Sequence, residues 1–203
     1  MFFNILSCQK TQLKSKSSLN TMENSNIKTL TFGGGCFWCV ESCFNMLQGV
    51  LKAESGYSGG HKENPTYKEV CTGETGHAEV VQLTYDSSVI SYEQLMEVFF
   101  FLHDPTQLNR QGNDIGTQYR SVIFFENVSE KEQAIKAIDA SKATGKWEGE
   151  YVTELAQFEK FWPAEQYHQG YYLENPDQPY CSAVVGPKIQ KFKAYFGAKG
   201  MLK

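Results

Sequence analysis

The spacing of hydrophobic and polar residues along the chain changes several times, and each change predicts a new element. Stretches of alternating or β-branched apolar residues predict strands at residues 27–32, 50–57, 77–85, 118–125 and 152–155. Apolar residues at helical spacing predict helices between these strands. One helix begins near Cys36 and ends near residues 48–49, and two more begin at the capping boxes Ser91-x-x-Gln94 and Ser129-x-x-Glu132.

This order of elements predicts an α+β fold. Its core is expected to be a split βαβ (ferredoxin-like) arrangement, with helices on one side of a mostly antiparallel sheet. A short helix at residues 164–170 and a loop-rich C-terminal tail, ending in residues 191–196, are expected to follow.

Composition excludes several classes of protein. The chain has 203 residues, of which 41% are hydrophobic and 21% charged, which is typical of a globular domain. A formal net charge of −4 gives no electrostatic support for nucleic-acid binding. Residues 98–102 are the longest apolar run and are far shorter than the ~20 residues of a transmembrane segment. The six cysteines are too few for a disulfide scaffold, which favours catalytic or redox use.

The first 26 residues differ from the remainder. Residues 10–26 are mostly polar and predict a disordered leader or tether. Before them, residues 2–8 end in a pattern similar to a lipoprotein signal with Cys8 as the modified residue, but the apolar region is shorter than such signals require. The chain is therefore expected to be cytoplasmic, or attached to the cell envelope if Cys8 is lipidated; Met22 is an alternative start. Residues 27–203 are expected to form a single catalytic domain.

The stretch Gly33-Gly34-Gly35-Cys36 lies between the first predicted strand and the first predicted helix. Three glycines allow a sharp turn and a close approach of a ligand to the backbone. Cys36 is then at the start of a helix, where free N–H groups and the helix dipole favour a thiolate. The pattern predicts a reactive cysteine.

Cys36 and Cys39 form a C-x-x-C pair, which leaves other possibilities open. The pair is compatible with a thiol–disulfide oxidoreductase, or with a non-enzymatic redox-sensing or metal-binding module. A structural zinc site normally uses a second pair of ligands, and the remaining cysteines stand singly. The bulky residues between the two cysteines argue against thiol–disulfide exchange with another polypeptide.

Glu79 is the most informative position outside this stretch. It is in phase with the apolar face of its strand, together with Val81, Leu83 and Tyr85. Burial would raise the pKa of its carboxyl group and keep it protonated near neutral pH. Glu79 is therefore predicted to be a general acid.

Four motifs together resemble one family. Gly-Cys-Phe-Trp-Cys-x-Glu at residues 35–41 is similar to the signature of peptide methionine sulfoxide reductase A. Residues 64–67, 76–79 and 112–121 resemble the other signatures of that family, in the same order. The resemblance covers roughly residues 28–195 and is highly specific because all four motifs match.

The resemblance implies a substrate site. Phe37 and Trp38 would line a pocket for the methyl group of an S-methyl sulfoxide, and the hydroxyls of Tyr67 and Tyr119 would bind the sulfoxide oxygen. Asp114 would lie near the site and orient the substrate or a tyrosine. The proton-donating glutamate of the family falls on Glu79, in agreement with the pattern of its strand.

The resemblance also implies a reaction. Cys36 would reduce methionine S-sulfoxide, in proteins and free, and become a sulfenic acid. A second cysteine would form a disulfide with it, and thioredoxin or a similar dithiol would reduce that disulfide; no metal or organic cofactor is expected. In the family, a cysteine following a tyrosine commonly resolves the sulfenic acid, which favours Cys181 over Cys39, with a relay through both still open. Cys71 and Cys43 are weaker candidates, and the chain is expected to be a monomer.

Overall fold

The computed structural model describes residues 26–203. The predictions for residues 1–25, including the possible lipidation of Cys8, lie outside the described residues. The described part of the chain contains eight strands: β1 (Ile27–Gly33), β2 (Val50–Ser58), β3 (Ala78–Asp86), β4 (Arg110–Gln111), β5 (Asp114–Ile115), β6 (Val122–Phe125), β7 (Glu154–Gln157) and β8 (Trp162–Pro163). Six helices accompany them: α1 (Phe37–Asn45), α2 (Tyr67–Val70), α3 (Tyr92–Leu102), α4 (Val128–Ala143), α5 (Tyr171–Glu174) and α6 (Gly186–Ala198).

Six of the strands form one sheet in the order β7-β6-β1-β3-β2-β8. β3 lies between β1 and β2 and is antiparallel to both, which is a split βαβ unit with α1 as its connection. β6 is antiparallel to β1, so the four central strands have the ferredoxin-like order predicted from the sequence. β7 runs parallel to β6 at one edge, and β8 extends the other edge.

The core lies mainly between the sheet and its helices. Side chains from β1, β2 and β3 pack there against α1, α3, α4 and α6 in one large cluster. A smaller cluster on the opposite face contains Ala78, Val80, Val122 and Phe124, covered by Phe158 and Phe161. Both faces of the sheet are thus buried near the start of β3, and a side chain there is removed from water on either face.

Several element boundaries differ from the predictions for local reasons. The Ser129 capping box is wrong because Asn127 caps α4 instead, accepting the N–H of Glu130 at 3.0 Å. The predicted pair of β3 and α3 is confirmed. The Ser91-x-x-Gln94 capping box forms at the start of α3, as expected. α1 ends at Asn45, a few residues before the predicted end.

The segment between β5 and β6 and the C-terminal tail also differ. Residues 117–119 form a 3₁₀ turn, so the strand predicted from residue 118 begins only at Val122. The helix predicted at residues 164–170 is reduced to a 3₁₀ turn at Gln166–His168, because Ala164 N–H is bonded to Ser55 O beside the sheet. The tail contains more helix than expected: a π-helical turn at Cys181–Val185 continues directly into the 13-residue α6.

Over residues 26–203, none of the helices is both long enough and apolar enough to cross a membrane.

Candidate active site

The sheet places the glycine turn beside Glu79. β1 and β3 are antiparallel, and Phe32 pairs with Val81, so the residues that follow β1 lie beside the first residues of β3. The two backbones approach so closely that a Cβ on Gly33 would lie 2.6 Å from the carbonyl oxygen of Glu79. Pairing of two strands that are distant in sequence therefore brings Cys36 and Glu79 to one place.

The turn itself depends on Gly35. Its φ of +89° lies in the left-handed region, and a Cβ there would also lie 2.7 Å from the side chain of Gln111. Cys36 follows as the N-cap residue of α1, with φ −56° and ψ 122°. Its side chain makes no capping hydrogen bond and is partly accessible to solvent. Cys36 is therefore a partly accessible residue at the start of a helix, where the sequence predicts it.

The Glu79 carboxyl group is buried against the first turn of α1. Only 2% of the residue is exposed, and the Phe37 N–H donates a hydrogen bond to its Oε2 at 3.1 Å. Burial raises the pKa of this carboxyl to about 8, opposed by the Phe37 N–H and supported by the charge of Asp114. Glu79 thus holds a proton at neutral pH beside Cys36, in agreement with the prediction from its strand.

The Cys36 thiol has the opposite character to the one expected. Burial raises its pKa well above the ordinary value, and the charge of Glu79 raises it further, while the Tyr180 hydroxyl and the backbone N–H of Trp38 lower it. The prediction that the helix start favours a thiolate is therefore wrong for the resting site. Desolvation outweighs the helix terminus, so Cys36 and Glu79 each carry a proton.

Aromatic rings surround this pair. Phe37 is almost fully buried, and its ring centre lies 6.4 Å from that of Tyr67 and 5.1 Å from that of His168. The Trp38 ring stacks on Tyr171 with centres 3.8 Å apart and planes inclined by 12°. The indole N–H of Trp38 donates to Nδ1 of His168 at 3.0 Å. These contacts hold Trp38 in one orientation next to Cys36.

Two tyrosine hydroxyls belong to the same environment. Burial raises the pKa of Tyr67 and of Tyr119, and for each the charge of Glu79 is the next largest cause. Both hydroxyls therefore remain protonated and are available to donate a hydrogen bond. Glu165 fixes the position of Tyr67 by accepting its backbone N–H at 2.9 Å.

Asp114 orients a third tyrosine. The Tyr180 hydroxyl donates to Oδ2 of Asp114 at 2.6 Å, and the same hydroxyl contacts the Cys36 thiol. Asp114 is on the β4–β5 hairpin and Tyr180 is in the C-terminal segment. The hairpin and the C-terminal segment are therefore joined directly beside Cys36.

Among residues 26–203, the other four cysteines are free thiols and differ in burial. Cys39 is 4% exposed and lies against the thiol of Cys43, which is fully buried. Cys181 is also fully buried, whereas Cys71 is exposed beside the Tyr67 hydroxyl. The second cysteine of the C-x-x-C pair is therefore enclosed in the core, next to Cys43.

Within residues 26–203, no group of three or more His, Cys, Asp or Glu side chains is arranged to hold a metal ion.

The comparison with known families agrees with this geometry. Residues 28–200 match the family model of peptide methionine sulfoxide reductase. The chain belongs to the peptide methionine sulfoxide reductase family. The activity of that family, thiol-dependent reduction of methionine sulfoxide, is accordingly the activity of this chain.

Relatives in the family are similar over most of their length. The MsrA of Nautilia profundicola is 53% identical over 161 residues, which cover 79% of this chain and 91% of the relative. The MsrA of Saccharolobus solfataricus is 51% identical over 174 residues, or 85% and 97% of the two chains. The solved structure of reduced Mxr1 from Saccharomyces cerevisiae is 34% identical with a TM-score of 0.71, covering 77% of this chain and 90% of Mxr1. Mxr1 has also been crystallised in complex with Trx2.

The structure brings most of the residues that family membership pointed to into one site. Cys36, Phe37, Trp38, Glu79 and Tyr119 lie around the start of α1, with Tyr67 and Asp114 at its edge. Cys39 lies one turn further along α1, inside the core. Cys181 follows Tyr180 directly, but its own side chain is enclosed.

Four site residues were not predicted from the sequence: Tyr180, His168, Tyr171 and Glu165. Each is distant from Cys36 in the chain. Tyr180 contacts Cys36, His168 and Tyr171 contact the Trp38 ring, and Glu165 binds the backbone N–H of Tyr67. Tyr180 had one available signal, since it precedes the cysteine predicted to resolve the sulfenic acid.

Proposed function

We propose that Cys36 is the nucleophile and Glu79 the proton donor in the reduction of methionine S-sulfoxide, in proteins and as the free amino acid. The observation that carries this assignment is the contact of the buried Glu79 carboxyl group with the first turn of α1, next to the partly accessible Cys36 thiol. A buried acid that retains its proton at neutral pH is suited to protonate a sulfoxide oxygen as the S–O bond breaks.

The protons on Cys36 and Glu79 account for the proton balance of sulfoxide reduction. Glu79 donates its proton to the sulfoxide oxygen as the Cys36 sulfur attacks the sulfoxide sulfur, and Glu79 then takes up the thiol proton. The S–O bond breaks, the sulfide leaves as methionine, and the hydroxyl group is transferred to Cys36. The products are methionine and the Cys36 sulfenic acid, so the thiol is oxidised by two electrons and the sulfoxide reduced by two. Glu79 ends this step in its starting form.

The substrate would be held by groups on both sides of the reacting sulfur. Phe37 and Trp38 provide an apolar wall for its methyl group, next to the Cys36 thiol. The protonated hydroxyls of Tyr67 and Tyr119 would donate to the sulfoxide oxygen and stabilise the charge that develops on it. The preference for the S epimer of the sulfoxide follows from family membership.

Cys181 is the proposed resolving cysteine, with Cys39 as the alternative. Its thiol would attack the Cys36 sulfenic acid, releasing water and forming a disulfide. None of residues 171–180 is fully buried, and movement of this segment would break the Trp38–Tyr171 stack and the Tyr180–Asp114 hydrogen bond. The Cys181 thiol is enclosed, and a disulfide with Cys36 requires their Cα atoms to lie within about 7 Å. Cys39 is nearer in sequence but is enclosed beside Cys43.

Thioredoxin or a similar dithiol would then reduce the disulfide, for which the complex of Mxr1 with Trx2 is a precedent in a related protein. A single catalytic domain at residues 27–203 would carry out all of these steps. The location of the protein is a separate question: mass spectrometry of the native N-terminus would show a lipid on Cys8, a start at Met22, or neither.

One assay tests the activity and the stereochemistry together. The protein is incubated with dithiothreitol and either the S or the R epimer of dabsyl methionine sulfoxide, and dabsyl methionine is measured. Product from the S epimer alone is expected. Reduction of insulin disulfides at a rate exceeding sulfoxide reduction would instead support thiol–disulfide exchange.

A further inference from the structure

Glu41, the last residue of the 35–41 motif, is a buried carboxylate that the proposed mechanism does not use. It is 3% exposed and lies on α1 three residues after Trp38. Burial raises its pKa, and hydrogen bonds from Gly170 and Ser55 lower it. A carboxylate removed from water is costly unless each oxygen is bonded, so its contacts indicate what it holds.

The two oxygens of Glu41 bond to two different parts of the chain. Oε1 accepts the backbone N–H of Gly170 at 2.9 Å, and Oε2 accepts the Ser55 hydroxyl at 3.0 Å. Ser55 is in β2, whereas Gly170 precedes α5. The link to Gly170 spans 129 residues of sequence and joins α1 to the segment that covers the site.

Gly170 is the residue before Tyr171, whose ring stacks on Trp38. Gly170 has a φ of +67° and caps α5, so its position sets where the helix starts. Trp38 and Glu41 are one turn apart on α1, and Tyr171 and Gly170 are adjacent in the chain. The contacts therefore form a closed loop in which the Glu41–Gly170 hydrogen bond and the Trp38–Tyr171 stack lie side by side.

The residue before Gly170 is fixed separately. The Gln169 side chain accepts the Ser55 N–H at 3.0 Å and donates to the Ser55 carbonyl oxygen at 2.9 Å. Gln169 thus attaches the segment to the sheet, and Glu41 attaches it to the helix that carries Cys36 and Trp38. The His168–Trp38 hydrogen bond holds the indole itself, whereas the Glu41–Gly170 bond holds the residue next to Tyr171 against α1.

We propose that Glu41 is a positioning residue for the methyl pocket: its carboxylate fixes Gly170 so that Tyr171 supports the Trp38 indole. This inference rests on the proposed function in one respect, namely that Trp38 lines the pocket for the substrate methyl group. It assigns to the glutamate of the motif a role in substrate binding and none in proton transfer.

Two substitutions at Glu41 separate positioning from charge. Glu41→Gln retains an oxygen for the Gly170 N–H and places an NH₂ against the Ser55 oxygen, so both contacts survive without the charge. Glu41→Leu fills a similar volume and removes both hydrogen bonds. We expect Glu41→Gln to behave like the wild type, and Glu41→Leu to raise KM for dabsyl methionine sulfoxide by ~10-fold or more, the scale on which an apolar pocket responds to a misplaced methyl group. The single-turnover rate at saturating substrate should change by less than about threefold, because Cys36 and Glu79 are untouched.

A spectroscopic measurement follows the indole itself. In a Trp147→Phe, Trp162→Phe background, Trp38 is the one remaining tryptophan of the three in the chain. Acrylamide should quench its fluorescence more strongly in Glu41→Leu than in Glu41→Gln, since loss of the Gly170 contact frees Tyr171 from the ring. Ser55→Ala, which removes the other hydrogen bond alone, is the matched control and should leave both KM and quenching near wild-type values.

The proposal is overturned if folded Glu41→Leu has wild-type KM and wild-type quenching, or if Ser55→Ala reproduces its defect. Should Glu41→Leu not fold, Glu41→Asp, whose shorter side chain does not reach both partners, is measured in its place with the same expectations. Trp38→Ala tests the methyl-pocket role of Trp38 separately from the Glu41–Gly170 contact. If quenching changes in Glu41→Leu but Trp38→Ala leaves KM unchanged, the methyl-pocket role of Trp38 is wrong while the Glu41 contact stands.

Discussion

Glu79→Gln tests the central assignment because it should make the protein both slower and more stable. Glutamine has nearly the same shape, and its amide oxygen can still accept the Phe37 N–H that bonds Glu79 Oε2 at 3.1 Å. What the substitution removes is the titratable proton. We expect the single-turnover rate of sulfoxide reduction to fall by ~10²-fold or more, the usual range for loss of a general acid, with substrate binding affected less.

The gain in stability follows from the pKa. In the folded protein the pKa of Glu79 is about 8, raised from an ordinary value of 4.5 by burial. The folded state therefore binds a proton more tightly than the unfolded state, and its stability falls as pH rises from 4.5 to 8. Each pH unit in that window costs about 1.4 kcal/mol, which amounts to roughly 3 kcal/mol at pH 7 and about 5 kcal/mol above pH 8. Glutamine does not ionise, so the variant should escape this loss.

The assay combines rapid quenching with urea unfolding. Single turnovers of prereduced enzyme with dabsyl methionine sulfoxide give the rate, and unfolding at pH 4.5, 7 and 8.5 gives the stability difference between wild type and variant. The wild-type rate should also fall about tenfold per pH unit above pH 8, where Glu79 loses its proton, and this decline should be absent in the variant. Glu63→Gln, at an exposed glutamate, controls for removal of one negative charge and should change neither quantity.

Two results would refute the reasoning separately. A Glu79→Gln rate within tenfold of the wild type would show that another group protonates the sulfoxide. A slow variant with no added stability at pH 7 and 8.5 would show that Glu79 is not protonated in the resting site, although it remains necessary for the reaction.

Three further outcomes are expected. Cys36→Ser should abolish turnover with an unchanged circular dichroism spectrum, because a serine hydroxyl is a far weaker nucleophile; more than a few per cent activity would mean that another cysteine starts the reaction. Gly33→Ala should lower both activity and melting temperature, because its Cβ would lie 2.6 Å from the Glu79 carbonyl oxygen, and a wild-type rate would contradict that contact. After oxidation by one equivalent of methionine sulfoxide, peptide mapping should find a Cys36–Cys181 disulfide that is missing in Cys181→Ser. A Cys36–Cys39 disulfide together with a wild-type rate in Cys181→Ser would assign the resolving role to Cys39.

Short-range sequence patterns predicted the parts of the site that depend only on neighbouring residues. The Gly33–Gly35 turn, the start of α1 at Cys36 and the phase of Glu79 in β3 each depend on residues within one or two turns of chain. The strand order was also accessible, since alternating strands and helices of these lengths favour a split βαβ arrangement. Where prediction at this level was wrong, as at the Asn127 cap of α4, another polar residue two positions away competed for the same role.

The ionisation of Cys36 required the tertiary structure. From the sequence, a cysteine at a helix start is expected to have a lowered pKa, and the local geometry does match that expectation. The opposing effect comes from desolvation and from Glu79, whose position depends on the pairing of β1 with β3. A helix terminus acts over one turn, whereas burial is a property of the whole fold.

The sequence by itself determined the family and the main order of the elements, and it predicts the nucleophile and the acid, because each depends on residue type and short-range periodicity. The tertiary structure decided which distant side chains complete the site: Tyr180 against Cys36, His168 and Tyr171 around Trp38, and Gly170 on Glu41. These contacts join the C-terminal segment to α1 across more than a hundred residues. No periodicity within either segment carries that information, since it depends on how the chain packs as a whole.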